Sequence, residues 1–390
     1  MKPLAKILIV VAVLFFLLVS SAIVIGACAV GHLRINGHSV RSGIEANRVE
    51  THELAFDPAQ PLRAQVDFGE IRVRSTTGTT ASVTARLRAF GSDKADAEQR
   101  LAAMSLELGP NSVRGREKDN AGSGIFETYG GGQIDLELTL PAGARLEIQS
   151  GSGDLSVEGP FGDTRAASDY GDLELRGIRG ALSAKSSSGD IHASELEGGD
   201  VSLDTSYGDL ALERAKTGRL ELHTSSGDIQ VSEIQSSSTR LASEYGDIQV
   251  RTLRGDLEAR TSSGEIALSA FSGKCVAHSD YGEVSASGVF AGLQLSSSSG
   301  AVHGEALAGS ALGEGWKLES DYGEVALQLP ASLSFELDAS TDYGEVSADL
   351  PGVLGGAKGD EAHKLHGAVG GGGPKLRLHS SSGDVAIRTR

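Results

Sequence analysis

A short motif, Ser/Tyr-Gly-Asp/Glu-aliphatic, recurs along this chain at almost constant spacing. Gly153, Gly171, Gly189, Gly208, Gly227, Gly246, Gly264, Gly282 and Gly300 follow one another at steps of 18 or 19 residues. Gly323, Gly344 and Gly383 continue the series at longer steps, which read as insertions. A fixed period near 20 is the signature of a solenoid. One such unit is too short to bury its own apolar face, so neighbouring units must stack to make a common core.

The columns of the repeat specify how each unit runs. Two residues after the glycine every position is aliphatic, from Leu155 and Leu173 to Val346 and Val385. Four after it stand Val157, Leu175, Leu212, Val231, Val250 and Leu268, and five before it Leu203, Leu222, Leu241, Leu295 and Leu318. Polar or small residues separate them, the period-two pattern of a strand with one buried face. Seven after the glycine, Ile178, Leu196, Ile234, Leu253, Phe271, Val289 and Leu307 extend the inward set. Each coil is therefore strand, turn, strand and corner, and equivalent strands of successive coils pair in parallel at about 4.8 Å. The expected fold is all-β: a single-stranded parallel β-solenoid of about a dozen coils, roughly 55–60 Å long, right-handed by the crossover rule. An N-terminal transmembrane helix and one short helix in an N-terminal cap complete it.

Three corner columns carry further information. Three before the glycine every residue is Ser or Thr, with the parity of the buried positions. This reads as a hydroxyl ladder bonding the turn backbone, since a nucleophile would not recur in every coil. After the glycine stand Asp154, Asp172, Asp190, Asp209, Asp228, Asp247, Glu265 and Glu283, with Ala301 the exception in the next coil. Stacked like charges repel, so this acidic ladder is either a row of solvated turn residues or a cation site, with calcium the candidate. Before the glycine, serine alternates with tyrosine: Tyr170, Tyr207, Tyr245, Tyr281 and Tyr322 stand in alternate repeats, and Tyr322 and Tyr343 break the rule in consecutive ones. A ring in one coil can cover the serine of its neighbour, sealing the corner. Alternatively the rings form an exposed ladder about 10 Å apart, suited to stacking on sugars or a partner surface.

The flanks differ. Residues 1–30 begin with Lys2 and Lys6 and then run without charge from Ile7 to Val30. Some 20 apolar residues span a bilayer core, and the lysines orient the rest of the chain outside the cytoplasm. An uncleaved anchor, a lipoprotein signal with Cys28 as the lipidated residue, and a cleaved signal are the three readings, and all place 31–390 in the periplasm or at the cell surface. Residues 31–48 form a stalk and 49–145 a β-rich cap, with a motif-like hairpin at 65–75 and a helix at 92–104 capped by Ser92. Regular coils fill 146–350, a Gly-rich flexible insertion 351–374, and a terminal coil 375–390.

The run "IDLELTLPAGARLEIQSGSGDLSVEG", followed by the Ser-Ser-Gly-Asp-Ile repeats, resembles the bacterial putative-adhesin family of unknown function, whose coils are similar to autotransporter adhesin heads. The resemblance covers about 49–390 and implies an extracytoplasmic β-solenoid with no catalytic residues to carry over. The chain's own residues agree. Net charge is −17, which disfavours nucleic acid as a partner. No single coil has a distinctive acid–base cluster, as a carbohydrate-active enzyme would need. His223, His278 and His379 share a column but lie coils apart, and Trp316 and Cys275 read as core. The expected function is a non-enzymatic, membrane-anchored surface-interaction module that meets a polysaccharide or protein. A ligand-free envelope scaffold is the alternative, and self-association through the solenoid ends is a further expectation.

Overall fold

The computed structural model describes residues 26–28, 33–35, 38–40, 44–117, 132–313, 315–350 and 363–390. The chain divides into two units, Met1–Val157 and Glu158–Arg390.

The second unit is the parallel β-solenoid. Strands Leu173–Ile178 and Leu182–Ser186 pair in parallel with Ile191–Gly198 and Val201–Thr205 of the next coil. From Leu210 to Ser297 the two strands of a coil merge into continuous stretches such as Leu210–Thr224 and Ile229–Ser243. The predicted columns point inward: Leu210, Leu212, Leu222, Ile229, Val231 and Leu241 are all buried. Cys275 and Trp316 join them. Phe271 stacks on Phe290 at 5.7 Å, and Phe290 meets Trp316 edge-on at 6.0 Å.

Two predicted inward residues are displaced. Val289 and Leu307 are only half-buried, and Phe290 and Ala306 take the core positions. The pairing register slips between Leu268 and Phe271, where Phe271 faces Gly288. A one-residue slip turns the side chains that follow to the other face, and here the register slips back between Gly273 and Lys274, which confines the change to the residues between.

The C-terminal coils do not stack in chain order. Lys375–Ser380 lies between Trp316–Ser320 and Phe335–Thr341, parallel to both. Val385–Thr389 likewise lies between Val325–Leu329 and Val346–Asp349. The predicted terminal coil is therefore the penultimate one, and the coil at 335–349 stands last. Part of the predicted flexible insertion is a strand, Lys364–Val369, antiparallel to Phe335–Thr341. It covers one free edge of the last coil and carries Lys364 and His366 outward, a charged edge that discourages further pairing.

The first unit mixes parallel and antiparallel pairing. Ala81–Gly91 pairs antiparallel with both Ile44–Leu54 and Gly132–Pro141. The predicted hairpin at 65–75 is instead a solenoid corner: Leu62–Phe68 and Ile71–Thr76 pair in parallel with Leu146–Ser152 and Gly132–Pro141, not with each other. The helix spans Lys94–Ala103, buries Ala97 and Leu101, and packs on the antiparallel strands. Its N-cap is Asp93, whose carboxylate accepts from Asp96 N–H, while Ser92 donates to the Asp96 carboxylate. Gly26–Cys28 is a short strand antiparallel to Glu45–Asn47. The rest of the apolar segment at 1–25 lies outside the described residues, and among those described no helix is long and apolar enough to cross a membrane.

Candidate functional site: the tyrosine corner

The corner is held by three interlocking ladders. The hydroxyl column is buried, and from Ser186 onward each member bonds twice. Thr224 Oγ1 donates to the carbonyl of Gly208 in the coil before (3.0 Å) and accepts from Gly227 N–H in its own coil (3.1 Å). Thr205, Ser243, Thr261, Ser279 and Ser297 repeat the pattern. A hydroxyl is the one small side-chain group that donates and accepts at once, which explains why the column is only Ser or Thr.

The glycine column follows from the same closeness. A Cβ on Gly208, Gly227 or Gly246 would overlap the carbonyl oxygen of the motif glycine one coil earlier. No side chain fits between corners stacked this tightly.

The acidic column is a third ladder. Oδ1 of Asp172, Asp190, Asp209, Asp228 and Asp247 accepts the backbone N–H of the next acidic residue, at 2.8–2.9 Å. These charge-assisted bonds offset the mutual repulsion of the stacked carboxylates. The relay ends where Glu replaces Asp; the carboxylate of Glu283 instead meets His303 Nδ1 at 3.1 Å. Asp154 also has interactions of its own. Among the described residues no group of three or more His, Cys, Asp or Glu side chains converges as a metal cage.

The tyrosines stand outside these ladders. Tyr170, Tyr207, Tyr245, Tyr281, Tyr322 and Tyr343 are 66–84% exposed, so they do not seal the corner. The apparent break in alternation at Tyr322 and Tyr343 disappears in space. Ser380 Oγ donates to Gly323 O and Thr341 Oγ1 to Gly383 O, so the Ser382 corner lies between the two tyrosines. Ring and serine therefore alternate through every coil of the second unit, and equivalent rings recur every two coils, about 9.4–9.8 Å. Asp169, Glu244, Asp280, Asp321 and Asp342 each precede a tyrosine. In the first unit Phe68, likewise exposed, holds the same place beside Gly69, paired with Ser152.

A second corner was not read from the sequence. Six residues after the motif glycine, Gly177, Glu195, Arg214, Glu233, Thr252 and Ala270 all adopt left-handed backbone, with φ between 51° and 74°. Only Gly177 signals this conformation by its residue type. The corner lines an open groove of about 560 Å³ whose charges compensate one another. Arg176 lies 2.8 Å from Glu195, and Arg214 lies 3.8 Å from Glu195 and 3.0 Å from Glu213. The hydrogen bond from Arg176 holds the Glu195 carboxyl below the usual range and raises the Arg176 guanidinium in turn. Such exposed, mutually satisfied pairs contribute little and leave no surplus charge for a ligand.

Two of the three histidines of the shared column form local pairs. His278 bonds Ser296 and Asp280, and His379 bonds Ser340. Cys275 is buried, and burial pushes its thiol up to about 12. Cys28 lies in the strand Gly26–Cys28.

Two solved structures resemble the chain at 10% identity. One is a putative adhesin from Bacteroides fragilis NCTC 9343, matched over 88% of this chain and 97% of that one with a TM-score of 0.24. The other is a putative cell adhesion protein from Clostridium sporogenes ATCC 15579, matched over 88% and 100% with a TM-score of 0.18. Neither superposes closely enough to bear on function, and no curated protein matches the chain. The family model described as Toastrack DUF4097 matches residues 64–309 and 272–388, which include every corner built on the hydroxyl and glycine ladders, and the chain belongs to that family.

Proposed function

We propose that the chain is a non-enzymatic binding module of the cell envelope, held at the membrane by its N-terminal apolar segment, and that the tyrosine corner is its interaction face. One observation carries this reading: six tyrosines project into solvent on alternate coils of one corner. Large aromatic rings are costly to leave in water, and tyrosine offers an apolar body with a polar tip suited to interfaces. A scaffold without a ligand would need only the buried ladders, and serine already serves that corner in every second coil. The acids recur uniformly from coil to coil rather than converging in one, which supports a non-enzymatic role.

The test uses the full chain in detergent. Tyrosine emission is followed while extended probes are added: amino-glycan oligomers, neutral glycan oligomers and proline-rich peptides. Saturable quenching by at least one probe, abolished by Tyr207→Ser/Tyr245→Ser/Tyr281→Ser, is expected. Binding that survives the triple variant would move the site elsewhere, and no binding by any probe would favour the scaffold.

A further inference from the structure

The corner's periodicity and charge identify the kind of partner it fits. We infer that the tyrosine corner recognises a polyproline II segment carrying a basic residue at every third position. This rests on the corner's being the binding face.

The first argument is pitch. Equivalent tyrosines recur every two coils, about 9.4–9.8 Å. A polyproline II helix has three residues per turn and rises about 3.1 Å per residue, so one face repeats every 9.3 Å or so. An extended β-strand repeats its face at about 6.4–6.8 Å. An α-helix returns to one face after seven residues, at roughly 10.5 Å. Five intervals separate Tyr170 from Tyr343 in stacking order. Over that distance polyproline II drifts from the ladder by roughly 1.5 Å, and the α-helix by about 4.5 Å, half an interval. Only the first stays in register along the whole row. The match depends on the inserted coil: without Ser382 between them, Tyr322 and Tyr343 would stand one coil apart.

The second argument is charge. The eleven corners of the second unit, each running from the Ser/Thr to the residue after the glycine, contain fifteen Asp or Glu and no Lys or Arg. Five of the six tyrosines follow an acid directly. The Asp side chains of the relay are fixed by the next coil's amide, so their negative charge is preorganised along the row. A ligand with cations at the same interval neutralises it, and electrostatic complementarity of this kind sets specificity and speeds association.

The third argument is hydrogen bonding. Polyproline II has no internal hydrogen bonds, so its carbonyls need outside donors. The tyrosine hydroxyls and the serines between them, including Ser188, Ser226 and Ser263, are donors that recur along the row. Rows of aromatics that take up a preformed, low-entropy polyproline II chain are an established mode of peptide recognition.

The experiment measures anisotropy of end-labelled peptides with the full chain in detergent at physiological salt. The peptides are (Pro-Pro-Arg)6, long enough for the row, and (Gly-Ser-Arg)6, of equal charge but flexible. A chitosan oligomer is the third probe. The expected result is that (Pro-Pro-Arg)6 binds at least tenfold more tightly than (Gly-Ser-Arg)6. Tyr245→Ser/Tyr281→Ser should weaken it at least tenfold with an unchanged melting curve, since serine occupies that place in alternate coils. Equal binding of the two peptides would reduce recognition to charge and overturn the inference. Tyrosine-dependent binding of chitosan alone would also overturn it, while leaving the binding-module reading intact. If none of the three binds, the polyproline II inference fails, while the binding-module reading still stands or falls with the neutral glycan probes.

Discussion

Thr224→Val removes one hydroxyl from the middle of the buried ladder while keeping the side chain's shape. Thr224 is fully buried, and its hydroxyl satisfies the Gly208 carbonyl of one coil and the Gly227 N–H of the next turn. Valine leaves both backbone groups buried without that partner. Each such group costs about 1–3 kcal/mol, so the variant should lose roughly 2–6 kcal/mol of local stability. Thr224→Ser is the control. It keeps both hydrogen bonds and loses one methyl group, about 1 kcal/mol. On volume and hydrophobicity alone the order would be the reverse, because valine is the more apolar residue. Stacked repeats unfold in parts, so a global midpoint can hide a local change. Amide exchange at Gly227 and its neighbours is the suitable assay. Thr224→Val should accelerate it by roughly thirtyfold or more, at about 1.4 kcal/mol per tenfold, and Thr224→Ser by less than tenfold. Equal or slower exchange in Thr224→Val than in Thr224→Ser would refute the role given to the hydroxyl.

The other ladders make their own predictions. Gly246→Ala places a methyl against the Gly227 carbonyl and should open the stack there; a melting curve unchanged from wild type would show that the corners are not packed as described. Millimolar calcium should leave the melting temperature unmoved, because the aspartates of the relay already accept backbone amides; a saturable rise reversed by EDTA would make the row a cation site after all. In a Cys28→Ser background, Cys275 should resist a thiol reagent at mildly alkaline pH until urea is added, since its thiol titrates near 12. Asp96 is held below the usual carboxylate range by the Ser92 backbone N–H and by Arg100. Its folded pKa is depressed, so its stabilisation of the helix is present above about pH 3.9 and is lost as pH falls through the folded value. Exchange from Lys94–Ala103 should rise in that acid range, and Asp96→Asn should remove this dependence; a parallel rise in both proteins would assign it elsewhere.

The solenoid was legible because each column repeats a physical requirement. Leu210, Ile229 and Ile248 must be apolar to fill a shared core, Gly208, Gly227 and Gly246 must lack a side chain, and Thr205, Thr224 and Ser243 must donate and accept at once. The tyrosine row was legible as alternation, but its exposure was not, because residue type alone does not distinguish a sealing ring from a projecting one. Stacking order was hidden at the C-terminus. Chain order equals spatial order only while every connection climbs one coil, and the antiparallel strand Lys364–Val369 breaks that rule. The slip that turns Phe290 inward comes from pairing irregularities, which leave no compositional mark. The second corner was concealed for a similar reason: Glu195, Arg214, Glu233 and Thr252 take a left-handed conformation that their residue types do not advertise. In the first unit the long antiparallel strands Ile44–Leu54 and Ala81–Gly91 carry no motif glycine, so only alternation was available to place them.

The most direct test of the tyrosine corner as the interaction face is fluorine NMR of the full chain labelled with fluorotyrosine. Six of its seven tyrosines belong to the row. With (Pro-Pro-Arg)6 and chitosan oligomers added in turn, resonances of consecutive row tyrosines should shift together at one ligand concentration. A probe that binds the chain while all six resonances stay in place would contradict the corner's role.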